Sequence, residues 1–426
     1  LFLFLIYSKL LVKFYLETYG CTLNRHDSEL MRKLLIAAGH TESGADYADV
    51  VIINTCGVKD ATEKRIIERL KRIKGPLVVC GCIATADERL VRRFAPQAVI
   101  VGTRGIGNIV NAVEDATAGR QTAYMKGGDK SGYEYDFVPP IGVIGVSDGC
   151  TGNCTYCFTK LARPGLMSMR TGEVLRRIRK ADEANVKELR LTSQDMGAYG
   201  LDKGTTLADL LKMISGMDGL TLKIRIGMMN PKHLIEHMEI IDLIMENDVF
   251  YKFFHVPIQS GSDKVLGLMK RENSVEDYIE IAREIRKDGY ANMMTDIIVG
   301  FPGEGEDEFR ESIELIKKTK PDTTNVSKYS ARPGTLAAGM KQIDRREINK
   351  RSGEMSELCN KISLERNERW VGKTCNTTIV EKMKTYAGRN DYYKQIVISG
   401  DSAGIGETIR VRLVEAGVAY IKGQNI

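Results

Sequence analysis

Ile141-Gly-Val-Ile-Gly-Val146-Ser-Asp-Gly-Cys150-Thr-Gly-Asn-Cys154-Thr-Tyr-Cys157 is the stretch that decides the fold. Its first part, Ile141 to Val146, reads as a strand. Its second part is a C-x3-C-x2-C loop that begins just beyond that strand. Five more apolar runs follow at helix-spaced intervals: Glu188 to Leu191, Thr221 to Ile226, Phe253 to Pro257, Met293 to Ile298 and Thr324 to Tyr329. Six strand–helix units in succession imply a barrel or partial barrel of parallel strands. Such barrels carry their chemistry on the loops at the C-terminal ends of the strands, which is where the three cysteines fall.

Upstream, the same alternation runs from about Val12 to Ala118. Strands are expected at Val12 to Leu16, Val50 to Ile53, Leu77 to Cys80 and Ala98 to Val101, with helices over Ser28 to Ala38 and Ala61 to Ile73. That pattern belongs to a parallel sheet with helices on its faces. Lys126 to Asp136 is polar and Gly-rich and reads as a linker. Downstream, a charged helical stretch, Asp344 to Trp370, precedes a tail of short β-like runs. These are Thr377 to Val380, Gln395 to Ile398, Thr408 to Leu413 and Val418 to Ile421, the spacing of a small β-barrel. The fold class is therefore α/β, with domains at 12–118, 137–366 and 371–426.

The chain has 426 residues, 43% hydrophobic and 28% charged, with a formal net charge of +6. That composition is ordinary for a globular protein, and the mild basic excess permits an RNA partner without requiring one. The apolar run Leu1 to Ile6 is too short to span a bilayer and lacks the flanks of a signal peptide. The absence of an initiator Met suggests a true start near Val12. With no segment able to cross a membrane, the protein reads as cytoplasmic. Nine cysteines in that setting point to metal, catalysis or burial rather than to disulfides.

Cys150, Cys154 and Cys157 can hold three irons of a 4Fe–4S cubane and leave the fourth without a protein ligand. A structural zinc site would want four ligands, and no His lies nearby. An open iron can chelate the amino and carboxylate groups of S-adenosylmethionine, so that one electron can break the bond from the sulfonium to the 5′-carbon. Cofactors carry such radical chemistry while the protein binds and orients.

The cysteine loop, with an aromatic before its last Cys, resembles the radical S-adenosylmethionine superfamily. The resemblance extends to Gly300-Phe-Pro-Gly303-Glu304, a segment that in this superfamily lies against the cofactor's adenine. It also includes Ser193-Gln194-Asp195, which resembles the segment that holds the cofactor's amino group. By the same resemblance, Phe158 would pack near the adenine.

Cys21, Cys56 and Cys82 each follow the C-terminal end of an expected parallel strand, the edge where α/β sheets build their sites. Cys80 lies within a strand and reads as core. Pattern alone leaves a second cluster, a redox pair and simple burial all open. Tyr19-Gly-Cys21-Thr-Leu-Asn24, Asn54-Thr-Cys56 and Gly81-Cys82-Ile-Ala84 resemble the three cysteine motifs of the methylthiotransferases. That resemblance implies a second 4Fe–4S cluster at Cys21, Cys56 and Cys82 and a TRAM barrel as the last domain. It covers about Val12 to Ile426.

Within that family, Asn54-Thr-Cys56-Gly-Val-Lys59 with Ala61-Thr-Glu63, Leu191-Thr-Ser-Gln-Asp195 with Ala198-Tyr-Gly200, and Ala331-Arg-Pro-Gly-Thr335 resemble the archaeal and eukaryotic type. The resemblance implies action on N6-threonylcarbamoyladenosine next to the anticodon, position 37 of tRNA. One S-adenosylmethionine would donate a methyl group to sulfur, and a second would yield the radical that takes hydrogen from C2 of the base. Electrons would come from a donor of ferredoxin or flavodoxin type. The chain ends after the barrel-like tail, without the membrane tail of eukaryotic members, which favours an archaeal-like enzyme. Arg345, Arg346, Lys350, Arg351, Lys382, Lys384 and Arg389 are the candidate tRNA contacts, although interleaved Glu347, Glu354 and Glu357 also fit a salt-bridged helix face. Rival readings are a methylthiotransferase for an aspartate of a ribosomal protein and a non-catalytic Fe–S sensor that binds RNA.

Three signals are set aside. His233-x-x-Glu236-His237 matches a zinc-hydrolase pattern but is expected on an outer helix as a surface coincidence. Gly102-x-x-Gly105-x-Gly107 is too loose for a nucleotide loop. Cys359 and Cys375 have no partner pattern and read as buried or incidental.

Overall fold

The computed structural model describes residues 11–57, 60–128, 130–134, 136–382, 385–399 and 404–426. The chain forms two compact units. One ends at Asp136 and takes back Phe158–Pro164; the other holds Phe137–Cys157 and Gly165–Ile426.

In the first unit, six strands make one parallel sheet: β1 (Lys13–Thr18), β2 (Thr41–Glu42), β3 (Val50–Thr55), β4 (Leu77–Cys80), β5 (Val99–Val101) and β6 (Ala123–Tyr124). Their order is β2-β1-β3-β4-β5-β6. The connecting helices are α1 (Thr22–Ala37), α2 (Asp60–Arg72), α3 (Gly81–Ala86), α4 (Glu88–Phe94) and α5 (Ile109–Thr117), and α6 (Phe158–Ala162) joins them from the returning segment. Ile66 and Leu70 recur at helical spacing on α2, so that face packs on Ile53, Val79 and Ile100 of the sheet. Helix α1 begins six residues before the expected Ser28. Its first turns bury polar Asn24, His26 and Asp27, which made them look unlike a core-facing helix. The expected linker also folds back. Lys130 Nζ pairs with Asp27 Oδ1 at 2.8 Å, and Lys33 pairs with Asp136.

In the second unit, β7 (Ile141–Gly145), β10 (Glu188–Thr192) and β11 (Lys223–Ile226) form one parallel run, with β10 central. β12 (Phe253–His255), β13 (Asn292–Val299) and β14 (Thr323–Lys328) form a second, with β13 central. A parallel bridge from Ile224 to Phe250 carries the order from one run to the other. The six expected strands thus stand in chain order as an open barrel. β8 (Ser147–Asp148) and β9 (Met167–Ser168) form a short antiparallel pair beside it. The helices are α7 (Thr171–Glu183), α8 (Leu207–Ser215), α9 (Pro231–Glu236), α10 (Glu239–Glu246), α11 (Asp263–Leu268), α12 (Val275–Ile285), α13 (Glu306–Thr319) and α14 (Arg345–Glu368). Thr206 and Ser274 start α8 and α12 with reciprocal capping boxes. On β10, Leu189 and Leu191 are fully buried; alternation turns Glu188 and Arg190 to the opposite face.

The tail closes as a barrel of β15 (Thr374–Lys382), β16 (Tyr386–Arg389), β17 (Gln395–Ser399), β18 (Thr408–Ala416) and β19 (Ile421–Asn425). Ile379, Ile396, Ile398, Val411, Leu413 and Ile421 fill it. β16 was not expected, because Tyr386-Ala-Gly-Arg389 is short and contains Gly388. Closure needs that glycine: a Cβ there would lie 2.4 Å from Thr378 O.

The loop between β16 and β17 seats this barrel against the starts of the parallel strands. Lys252 N–H donates to Asp391 O at 2.9 Å, Asn292 Nδ2 to Tyr392 O at 3.0 Å, and Tyr393 OH to Glu188 Oε1 at 2.8 Å. The small barrel is therefore anchored at the N-terminal end of the strands, opposite the end from which the cysteine loop departs. Among the described residues, no helix is long and apolar enough to cross a membrane.

Candidate functional site

The C-x3-C-x2-C loop is held from both sides. Gly149 N–H donates to Gln194 Oε1 at 2.7 Å. Thr155 N–H donates to Met269 O at 2.9 Å and its hydroxyl to Leu268 O at 3.0 Å, while Ala337 N–H donates to Thr155 O at 2.9 Å. Tyr156 fixes the middle of the loop by packing edge-on to Phe301, with centroids 6.2 Å apart. Cys150, Cys154 and Cys157 are each half-exposed. A Cβ on Gly152 would lie 3.5 Å from Cys150 Sγ and 3.9 Å from Cys154 Sγ, so both thiols turn toward the same side of the loop. Burial raises the Cys150 thiol to about 12, reinforced by the nearby Asp195 carboxylate and opposed by the Gly152 N–H. Among the described residues, no three Cys, His, Asp or Glu side chains close tightly enough to hold a single metal ion. A cubane gives each thiolate its own iron, so its ligands stand wider apart than those of one ion. Three half-open thiols on one clamped loop suit that donor set.

Around this loop lie the other expected site residues. Asp195 is buried, and its Oδ1 accepts from Gly197 N–H at 3.1 Å and Asn230 N–H at 3.0 Å. Burial raises its carboxyl, against the pull of His233. Ser193 Oγ is buried with no hydrogen-bond partner among the described residues. Gly300 ends β13 at a φ of +78° and Gly303 follows at +96°, a turn closed by Glu304. Glu304 Oε1 accepts from Gly300 N–H at 2.9 Å and from Arg351 Nη1 at 3.2 Å. Phe158 belongs to the first unit, where its ring covers Gly57 beside Cys56.

His233 is not on the surface. It is buried, with Nε2 3.3 Å from Thr151 Oγ1 in the cysteine loop and 3.6 Å from Asp195 Oδ2. His237 turns instead toward Glu239, so the two histidines do not converge. Arg271 was also overlooked. Its Nη2 donates to Asn230 Oδ1 at 3.1 Å and to Pro257 O at 2.7 Å, and its charge acts on Tyr156 and Cys154.

The second triplet gathers at the C-terminal edge of β1, β3 and β4, which are neighbours in the sheet. Asn24 joins the three loops. Its Nδ2 donates to Tyr19 O and to Thr55 O, both at 2.9 Å, and its Oδ1 lies 3.8 Å from Cys82 Sγ. Thr55 Oγ1 donates to Cys80 O and accepts from Ile83 N–H at 3.1 Å, fixing the start of α3. Gly20, at a φ of +104°, leaves room for Cys56; a Cβ would come within 2.5 Å of Cys56 Cβ. Burial raises the Cys82 thiol to about 12, with Arg163 opposing it and Cys21 and Cys56 adding to it. Cys80 is fully buried beneath them. The exposed Cys21 beside buried Cys56 and Cys82 leaves the group open on one side.

Residues 144–316 match the Radical SAM superfamily, and residues 13–102 match an uncharacterized protein family, UPF0004. A probable threonylcarbamoyladenosine tRNA methylthiotransferase of Archaeoglobus fulgidus is 37% identical over 430 residues, covering 96% of this chain and 97% of that protein. The chain belongs to the threonylcarbamoyladenosine tRNA methylthiotransferase family. The human threonylcarbamoyladenosine tRNA methylthiotransferase is 31% identical over 433 residues, 97% of this chain and 74% of that one. Among solved structures, the radical S-adenosylmethionine methyltransferase TsrM from Kitasatospora setae aligns with a TM-score of 0.57 at 13% identity, covering 77% of this chain and 74% of that one. That likeness bears on the fold alone. Membership in the radical SAM superfamily implies S-adenosylmethionine and a 4Fe–4S cluster.

Not all of the basic residues expected to face RNA in this family member are available. Arg351 is buried, and Glu304 and Glu347 take its guanidinium, so it is a structural cation. Its helical spacing from Glu347 had signalled a salt-bridged face. Arg345, Arg346 and Lys350 are exposed on α14. Lys382 is exposed, with its ammonium 4.5 Å from the Tyr386 ring centroid; Arg389 is half-buried over Tyr393. Lys384, and the motif residues Val58 and Lys59, lie outside the described residues. Arg410 and Arg412 were missed. They alternate with buried Val411 and Leu413 on β18, a period that could have marked them as outward-facing.

Proposed function

We propose that this protein places a methylthio group on C2 of N6-threonylcarbamoyladenosine at tRNA position 37. The observation that carries the reading is the pair of cysteine triplets, each positioned at a strand-end edge and each offering three thiols, which would leave the fourth iron of a 4Fe–4S cluster without a protein ligand. A 4Fe–4S cluster held by Cys150, Cys154 and Cys157 would supply the electron that cleaves S-adenosylmethionine, and a second held by Cys21, Cys56 and Cys82 would present the sulfur.

The chain's own residues then have defined tasks. Ser193 and Asp195 would bind the cofactor's amino group, and the turn from Gly300 through Gly303 to Glu304 would lie along its adenine. Gln194 holds the cysteine loop through Gly149. The C2 hydrogen of a purine is too weakly acidic for a side-chain base, which is why the site needs radical chemistry rather than a tuned His or Glu. Arg410, Arg412, Lys382 and the exposed cations of α14 would contact phosphates, and the target base would be splayed from its loop. Electrons would come from a ferredoxin- or flavodoxin-type donor in the cytoplasm.

The test is mass spectrometry of tRNA nucleosides from a host that makes threonylcarbamoyladenosine, lacks its own enzyme for this step and expresses this chain. The 2-methylthio derivative is expected. Its appearance only on isopentenyladenosine would move the substrate within the family. Unchanged tRNA, with added mass on a ribosomal protein, would overturn the reading.

A further inference from the structure

Two arginines stand side by side on the inner face of the open barrel. Arg190 on β10 and Arg225 on β11 are paired in register. Leu189, Leu191, Ile224 and Ile226 are buried on the other face, so alternation turns both arginines inward. Tyr393 shows that this face is concave. Its hydroxyl donates to Glu188 Oε1 on β10 at 2.8 Å, while its ring centroid lies 5.0 Å from that of Phe253 on β12. Arg190 Nε donates to the same Glu188 oxygen at 2.6 Å. Arg225 has no carboxylate and no hydrogen-bond acceptor among the described residues. Its guanidinium lies 4.9 Å from the Phe253 ring centroid and 5.7 Å from that of Tyr393, and its Nε is buried without a hydrogen bond. Arg389 brings a third guanidinium, 5.0 Å from the Tyr393 centroid, and its Nη1 donates to the neutral Gln395 Oε1 at 3.2 Å.

A guanidinium cannot shed its proton to escape burial. At Arg225 burial works hardest against the charge; Tyr393 eases this, Arg190 adds to it, Glu188 eases it and Arg389 adds to it. Ring faces attract a cation but give its N–H donors no oxygen to bond. A planar anion with two oxygens matches the guanidinium fork. Arg225 is only partly buried, so such a group can reach it. The cofactor's own carboxylate would be chelated by the open iron above the cysteine loop. The substrate offers another, because the threonylcarbamoyl arm ends in a carboxylate. Arg190 precedes Ser193 by three residues, about 10 Å along a strand. The arm and an arginine side chain together cover that span.

We propose that Arg225, seconded by Arg190, receives the threonyl carboxylate of the substrate inside the barrel, making that arm part of what the enzyme selects. The inference rests on the proposed substrate. Arg225 is a specificity-determining residue, touching the substrate away from C2 and taking no part in the radical step.

The test is an internal competition with the reconstituted, full-length enzyme. Two tRNAs assembled by ligation are mixed in equal amounts, one bearing N6-threonylcarbamoyladenosine and the other its methyl ester. Mass spectrometry follows both products, and their ratio at low conversion is the ratio of kcat/KM values. The phosphates are the same in both, so the ratio reports the carboxylate. The acid is expected to lead by roughly 10- to 100-fold, the scale of a hydrogen-bonded charge. Arg225→Met should bring the ratio close to one. Should Arg225→Met not fold, Arg225→Lys decides, since it keeps a charge without the planar fork and must lower the ratio. A ratio near one in the parent enzyme, or a ratio unchanged in these variants, overturns the assignment and leaves the methylthiotransferase reading standing. Modification of neither tRNA by the parent enzyme overturns both.

Discussion

Cys154→Ala is expected to abolish the formation of 5′-deoxyadenosine from S-adenosylmethionine under reducing conditions, and Cys82→Ala to leave part of that reaction running while stopping methylthiolation. The expected loss in the first case exceeds about 100-fold, because even a group that only hydrogen-bonds a metal ligand costs 10- to 100-fold when removed. Cys154 is one of three thiols on a loop pinned by Leu268, Met269 and Ala337. No spare thiol is on that loop, so nothing can take its place. Cys82 stands in the other unit, on a site tied together by Asn24 and Thr55. Its loss leaves the C-x3-C-x2-C loop intact. Chromatography of the cleaved cofactor and mass spectrometry of the tRNA nucleosides read the two steps separately. If Cys82→Ala still methylthiolated tRNA, or Cys154→Ala still cleaved the cofactor, the division of labour between the triplets would be wrong.

What could be read in the sequence was whatever local spacing encodes. The cysteine loop after Ile141 to Val146, the three scattered cysteines each following a strand, and the alternation behind both sheets all depend on short-range pattern. What could not be read depends on which helix faces which strand. His233 was expected on an outer helix as a surface coincidence, yet Asn230 and Pro231 place it in the first turn of a helix that follows a barrel strand. That position lies at the chemical end of the barrel, and it brings the ring to Thr151. Arg163 gave no signal, because a lone arginine in a polar-looking segment reads as solvated. Only the return of residues 158–164 to the first unit buries it on Asp27. Arg351 was open to both readings. Charge made it a candidate RNA contact and Glu347 one turn before it made it a candidate salt bridge, and spacing alone does not choose between them; its burial on Glu304 and Glu347 does.

Asp322→Asn is expected to destabilise the protein by about 3–5 kcal/mol, the usual consequence of removing one partner from a buried ionic group. Asp322 is 1% exposed and faces three cations: Arg286 at 2.7 Å, Lys394 at 2.8 Å and Arg366 at 3.1 Å. They come from the turn after α12, the loop between β16 and β17, and α14, so one carboxylate fastens the small barrel to the base of the parallel strands. Asparagine keeps the shape but takes the shared anion away from buried Lys394 and partly buried Arg286 and Arg366. Burial alone would raise the Asp322 carboxyl; Lys394, Arg286 and Arg366 outweigh it and hold it well below the usual carboxylate range. A group whose pKa is depressed by folding contributes stability above its unfolded pKa, about 3.9 for Asp. That contribution is lost as the pH falls through the folded value. Denaturant titrations should therefore show a constant gap between parent and variant from pH 7 down to about 4, closing only at more acidic pH. A gap below about 1 kcal/mol at pH 7 would mean that the ionic group is incidental to the docking. A gap that closed between pH 7 and 5 would assign the titration to another group. Because this anchor lies at the end of the strands remote from Cys150, Cys154 and Cys157, the variant should lose stability while keeping the iron of that loop.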